Sequence, residues 1–326
     1  MKAAVYHKYG PPEVVSIKTV ARPSPKDKEV LIKNFASTVT SADWRTRSLI
    51  LPPGFASFIG RLAFGIFGPR KKILGLTLAG EISELGKGVT KFNLGDRVFA
   101  IDGKALGGHA QFKVMPEDGA IALIPENLSS EEAAALPFGG TTAYDFLKVR
   151  GGIQSSEKVL INGASGDTGT AAVQLAKHFG ADVTGVCSTS NLELVKSIGA
   201  NKVIDYTTTD FSKNGETYDM IIDTVATASW ARSNASLTKK GRLLLILGSL
   251  SDILRAPFVS KKGGKKLIAG EARERAEDLR FLAKLAESGE FKPVVDRIYP
   301  LDQIVAAHTY VDTGHKKGSV VIRIDH

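Results

Sequence analysis

Cysteine occurs once in the 326 residues, as Cys187. A single thiol forms no intrachain disulfide and supplies no thiolate zinc cluster. It fits a reducing compartment, and a cytoplasmic location is the expectation. No apolar run is clean enough to span a bilayer. The most apolar stretch, 49–67, is broken by Pro52, Pro53, Gly54, Gly60, Arg61 and Gly65, so stable membrane insertion is not expected. Met1–Val5 runs into strand-like sequence without an n-region and apolar core, so no secretory leader is expected. There is no internal repeat and no low-complexity tract. Aromatic residues do not interleave with the basic ones, which are spread over Arg70-Lys71-Lys72, Lys239-Lys240, Lys261-Lys262, Lys265-Lys266 and Lys316-Lys317. The net charge of +9 therefore reads as solvated surface with a modest attraction for anionic cofactors, and no nucleic-acid partner is expected.

What is present is the material of a folded protein: 43% hydrophobic and 24% charged residues, enough for a sizeable core. The chain is organised around 159–169. The apolar run Val159–Ile161 stops at Asn162-Gly163-Ala164-Ser165-Gly166-Asp167-Thr168-Gly169, and Thr170–Phe179 then reads as a helix closed by Gly180. Strand, glycine turn and helix aim backbone N–H groups and a positive helix end at one point, which suits a pyrophosphate. The spacing is A-x-G-x-x-G, with Ala164 in the first glycine position and Gly163 ahead of it. A second strand, Asp182–Cys187, follows at the distance a βαβ unit requires, so a dinucleotide site over Gly163, Ala164, Ser165, Gly166, Asp167, Thr168 and Gly169 is preferred to a plain turn. Asp167 is read as a cap of the following helix in preference to a charge against the phosphates.

Residues 1 to about 125 read as short strands with Gly and Pro punctuation: 2–6, 14–17, 29–36, 79–86 and 96–100. The character changes near Pro125. A helix starts at Glu131 behind Ser129 or Ser130. From 158 onward six strands alternate with helices: 158–161, 182–187, 202–205, 220–223, 242–247 and 266–269. This pattern predicts a doubly wound parallel sheet. An amphipathic helix over 275–289, with Leu279, Leu282, Leu285 and Ala286 on one stripe, precedes strands at 294–299 and 319–324 around a helix near 302–312. That tail is expected to rejoin the first domain.

At the end of the second strand of the unit, a site selective for NAD places an acid on the ribose 2′-hydroxyl. Here the loop is Ser188-Thr189-Ser190-Asn191, without a carboxylate until Glu193. Neutral donors favour a 2′-phosphate, so NADPH is expected ahead of NADH.

Taken together, several stretches resemble the zinc-free branch of the medium-chain dehydrogenase/reductases, the quinone oxidoreductase (zeta-crystallin-like) family. They are Tyr9–Val14, Ala36–Trp44, Gly75–Gly80, Phe92–Val98, Gly108–Phe112, Gly140–Ala143, the phosphate turn and Gly314–Val321. The resemblance implies an α/β chain with a GroES-like β-rich catalytic domain over 1–125 and 275–326. A Rossmann dinucleotide-binding domain covers 126–274, and the active site lies in a cleft. It implies a homodimer and a small-molecule acceptor. Thr142 and Ala143 lie by the nicotinamide, Ser188, Asn191 and Tyr206 by the adenosine 2′-phosphate, and Thr189 and Ser190 of the same polar loop are counted with them as cofactor-binding residues. Gly248 and Ser249 count among the cofactor-binding residues. Thr40, Asp43 and Thr142 are the catalytic candidates, with His109 and Tyr6 weaker ones. Zinc relatives carry Gly-His-Glu where this chain has Gly75-Leu76-Thr77, and Leu76 ligates nothing, so no metal is expected. The activity implied is hydride transfer from NADPH to a quinone or α,β-unsaturated carbonyl. The alternatives are a non-catalytic NADPH- or nucleic-acid-binding protein on the same fold, or a zinc-independent aldehyde or alcohol reductase. The dimer is expected to form by sheet extension through 242–247. The segment 55–67 is read as a packed or lid-forming loop ahead of an interfacial membrane contact.

Overall fold

A computed structural model describes residues 1–51, 53–55, 57–262 and 264–326. Pro52 and Ala56, within the apolar stretch singled out above, lie outside the described residues, as do the side chains of Lys261 and Lys262. The chain divides into two compact units, Met1–Leu51, Ala56–Phe138 and Glu274–His326 in one, Pro52–Phe55 and Gly139–Arg273 in the other.

In the first unit a hairpin pairs β1 (Lys2–Tyr6) with β2 (Val15–Thr19). The long β3 (Glu29–Val39) is the spine of the rest. Helices α1 (Ser41–Ser48) and α2 (Ser57–Phe64) follow it, then β4 (Thr77–Leu85), β5 (Arg97–Ile101), β6 (Phe112–Pro116) and β7 (Ile121–Leu123). One edge of β3 meets β4 over residues 30–37; the other is shared, by β6 over 29–33 and by a C-terminal strand over 36–39. Helix α3 (Ser130–Ala135) starts where the sequence signals it, with Ser129 and Glu132 forming a reciprocal capping box. It packs on β3 and β4, which places it in the first unit. The boundary therefore falls at 138/139, inside α4 (Pro137–Tyr144), and not at 125/126.

The second unit is a six-stranded parallel sheet built on β8 (Lys158–Asn162), α5 (Asp167–His178), β9 (Asp182–Cys187), α6 (Leu192–Ser197), β10 (Lys202–Asp205), β11 (Tyr218–Asp223), α7 (Trp230–Ser233), β12 (Leu237–Leu245), α8 (Leu250–Lys262) and β13 (Lys266–Ala269). Its order is β10-β9-β8-β11-β12-β13. The chain winds outward from β8 in one direction and from β11 in the other, so the switch point lies between these two strands. That is where a doubly wound sheet opens a crevice at its strand carboxyl ends. Val159, Leu160 and Ile161 are wholly buried, as are Met220, Ile221 and Ile222. Continuous apolar runs of this kind belong to strands covered on both faces. Strand β12 lies between β11 and β13. The expected sheet extension through 242–247 is thus corrected: that strand is apolar because it is central, and its hydrogen-bonding edges are both occupied.

The chain returns to the first unit through α9 (Ala276–Glu287), which buries Leu279, Leu282, Leu285 and Ala286 as the spacing predicts. Each such leucine contributes about 1.5–3 kcal/mol. Then β14 (Val295–Pro300), α10 (Ile304–Asp312) and β15 (Ser319–Arg323) follow, with β15 antiparallel to β3. Among the described residues, no helix is long and apolar enough to cross a membrane. In the 55–67 segment Phe58, Leu62, Phe64, Ile66 and Phe67 are exposed, Phe67 entirely.

Candidate active site

The turn after β8 is shaped by two glycines. Gly163 takes φ +83°, in the region that side chains disfavour. Its N–H and that of Ala164 donate to Val186 O, at 3.1 and 2.9 Å. A Cβ on Gly169 would lie 2.0 Å from Gly163 O, so the first turn of α5 rests directly on the turn backbone. Gly166 is the N-cap and has no side-chain cap bond. Asp167 is therefore not the cap; it is the first helical residue, 7% exposed, and a Cβ on Gly139 of α4 would lie 2.3 Å from its Oδ1. An acid in the first turn is favoured by the helix dipole. First-turn N–H groups have no acceptor within a helix. Together with the close backbone approach at Gly163 and Gly169, this geometry fits a pyrophosphate.

Asn191 ties the loop after β9 to this turn. It is 7% exposed, and its Nδ2 donates to Ser165 Oγ at 3.0 Å and Ser188 Oγ at 3.2 Å. Thr189 Oγ1 donates instead to Asp205 Oδ2, at 2.5 Å, across from the end of β10. Tyr206 is exposed, and its N–H donates to Cys187 O. Burial, reinforced by the Asp205 charge, pushes the Cys187 thiol up to about 11, so it is a neutral packing group.

On the other side of the switch point, Asp223 closes β11. Its carboxylate accepts from Asn162 Nδ2 at 2.9 Å, Ala228 N–H at 2.9 Å and Val225 N–H at 3.2 Å. Burial raises its pKa against these bonds. Thr224 Oγ1 donates to Asn162 O and Gly163 O, which fastens the loop after β11 to the glycine turn. Neither Asn162, Asp223 nor Asp205 was singled out from the sequence. The signal was there: each is the polar residue closing an apolar strand at its carboxyl end. Gly248 and Ser249 follow β12 at the same end of the sheet. Ser249 and Asp252 exchange hydrogen bonds as a capping box for α8. Thr142 keeps 7% exposure and Ala143 none.

In the first unit, Thr40 and Asp43 are wholly buried and form another capping box, at the start of α1. Asp43 accepts from Thr40 N–H at 2.9 Å, Thr40 Oγ1 at 2.7 Å and Gly75 N–H at 2.8 Å. Gly75 has φ +95°, and a Cβ there would lie 2.6 Å from His109 N. Replacing Asp43 with alanine strands the Thr40 and Gly75 amides. A loss of about 2–4 kcal/mol is expected in urea unfolding, while Thr40→Ser, which keeps the cap oxygen, stays within roughly 1 kcal/mol of wild type. His109 Nε2 lies 3.0 Å from Thr38 O, and the Tyr6 hydroxyl is pushed above its usual range by burial. Leu76 belongs to an apolar cluster with Leu74 and Leu106, and Thr77 Oγ1 shares a 2.6 Å hydrogen bond with Thr38 Oγ1. These side chains do not fit a catalytic zinc. Among the described residues no group of three His, Cys, Asp or Glu is placed to hold a metal.

Two family models match the chain: an alcohol dehydrogenase GroES-like domain over residues 26–126 and a zinc-binding dehydrogenase over 198–322. A 2-methylene-furan-3-one reductase of Solanum lycopersicum is 34% identical over 99% of this chain and 79% of its own length. An NADPH-dependent alkenal/one oxidoreductase of Arabidopsis thaliana is 29% identical over 99% and 79%. The solved quinone oxidoreductase of Coxiella burnetii superposes with a TM-score of 0.88 at 28% identity, covering 100% of this chain and 99% of that one.

Proposed function

From the premise that the chain belongs to the medium-chain dehydrogenase/reductase family, as an oxidoreductase of the NAD(P)H-using kind, we propose that it reduces quinones or α,β-unsaturated carbonyls with NADPH and without a metal. The observation that carries the reading is the glycine turn 163–169 at the switch point of the parallel sheet. The names of the relatives, a 2-methylene-furan-3-one reductase, an NADPH-dependent alkenal/one oxidoreductase and a quinone oxidoreductase, support the substrate class.

A bound reduced nicotinamide supplies a hydride. The turn residues Gly163–Gly169 would hold the pyrophosphate against the α5 N-terminus. Ser188, Thr189, Ser190, Asn191 and Tyr206 would take the adenosine side, with Gly248 and Ser249 beyond β12, and Thr142 and Ala143 the nicotinamide. Thr40 and Asp43 act in this reading by fixing the Gly75 turn, since they bond each other through Asp43 Oδ2 and Asp43 Oδ1 accepts from the Gly75 N–H. An acceptor that is already electrophilic needs alignment and a dry pocket more than a Lewis acid. A homodimer in the cytoplasm is part of the same proposal; β13, not β12, ends the sheet. Mixing the protein with NADPH and 1,4-benzoquinone or an enone should consume the reduced-nicotinamide absorbance, unchanged by a chelator. Tight NADPH binding without turnover of any such acceptor would falsify the enzymatic reading. A saturated aldehyde reduced faster than every enone would move it to an aldehyde reductase.

A further inference from the structure

We infer that Asp205 is a specificity-determining residue of the dinucleotide site, one that weakens the site's preference for a 2′-phosphate and so admits NADH beside NADPH. The inference rests on the dinucleotide reading above. The loop after β9 offers four side chains to the adenosine ribose, and the structure shows how many donors they have left. Thr189 spends its only hydroxyl proton on Asp205 Oδ2 at 2.5 Å. Asn191 has two amide protons, and its two donated bonds go to Ser165 Oγ and Ser188 Oγ. That leaves the hydroxyl of Ser188, and that of Ser190, which donates to Asn191 Oδ1 over a long 3.5 Å. Among the described residues, no lysine or arginine makes an ion pair or hydrogen bond with residues 188–191 or 205–207.

Against this short supply of donors stands a fixed anion. Asp205 lies opposite Cys187 in the β9–β10 register. Besides Thr189 it accepts from Thr207 N–H at 2.9 Å and Thr207 Oγ1 at 2.7 Å. These bonds hold it ionised, and its charge is felt at the Cys187 thiol. The acid missing from the end of the second strand thus arrives from the third. It does double duty: it repels a phosphate, and it turns the Thr189 proton away from one.

The test uses nucleotide fragments, 2′,5′-ADP and 5′-AMP, titrated by calorimetry against the full chain. In Asp205→Asn the affinity for 2′,5′-ADP should rise on the order of fivefold, as expected for removing one unit charge near an exposed dianion. Affinity for 5′-AMP should stay within roughly twofold, which also certifies the fold. Thr189→Val, which keeps the carboxylate, should show no such rise. Raising the salt concentration about tenfold should shrink the difference between Asp205→Asn and wild type. An unchanged fragment ratio in Asp205→Asn, or a parallel loss of both fragments, overturns the inference. Failure of the wild-type chain to bind either fragment overturns the dinucleotide reading itself, a different result.

Discussion

Gly169→Ala loses dinucleotide binding and several degrees of thermal stability. The added methyl would sit 2.0 Å from Gly163 O and 2.8 Å from Ala164 Cα, both backbone atoms with no rotamer to retreat into. The turn cannot yield either, because Gly163 is held at φ +83° with its carbonyl accepting from Thr224 and its N–H bonded to Val186. Overpacking of this kind costs about 3 kcal/mol or more, which for a chain of this size lowers Tm by roughly 2–4 °C per kcal/mol. Affinity for NADPH should fall tenfold or more, on the order of 1.4 kcal/mol at least, since the displaced amides are the ones that the proposed function turns to the pyrophosphate. Gly166→Ala separates the two effects. Its Cβ meets nothing nearer than 3.8 Å, so Tm should hold while NADPH binding weakens through crowding of the ligand alone. Scanning fluorimetry with and without NADPH reads both. A Gly169→Ala protein with wild-type Tm would show that the helix does not rest on the turn as described.

The contrast between these glycines also marks what the sequence could say. Short apolar runs alternating with helical stretches placed the six strands of the second unit, the fifth starting earlier than expected, at Leu237 rather than 242, and the 3.6-residue stripe placed α9, because both signals are local and repeated. The helix start behind Ser129 or Ser130 was legible for the same reason, and the structure makes Ser129 the cap. The cap at Gly166 was not, since a glycine N-cap leaves no side-chain signature, and Asp167 beside it imitated one. The central position of β12 was hidden as well: an apolar strand reads the same whether it sits inside a sheet or at its rim, and only the β12–β13 pairing distinguishes them. Asp205 escaped for a topological reason. It lies 16 residues from Thr189 in sequence and meets it only because β10 pairs with β9.

The first unit carries a polar contact of the same topological origin, and it predicts an acid-sensitive core. His308 on α10 and His109 meet edge to face, with ring centroids 5.7 Å apart and both residues wholly buried. Neither ring nitrogen of His308 has a hydrogen-bond partner among the described residues. The groups that bear on its charge are His109 and Arg47, and Arg47 is itself fully buried and paired with Asp312 at 2.5 Å. Burial first, then these two neighbours, hold the His308 pKa well below its usual value. In the unfolded chain the same imidazole takes up a proton as pH falls through about 6.5, whereas in the folded chain it stays neutral. The unfolded state therefore binds more protons below that pH, and stability falls with the pH by up to about 1.4 kcal/mol per unit from this residue. His308→Leu removes the titration and two unpartnered nitrogens together. It should match or exceed wild-type stability at pH 7, where the neutral ring contributes only its packing. It should be clearly more stable than wild type at pH 5, with urea unfolding curves at the two pH values giving the difference. Parallel losses in the two proteins on acidification would mean that His308 is charged or water-bonded in the folded chain, and that the His109–His308 contact does not exclude a proton.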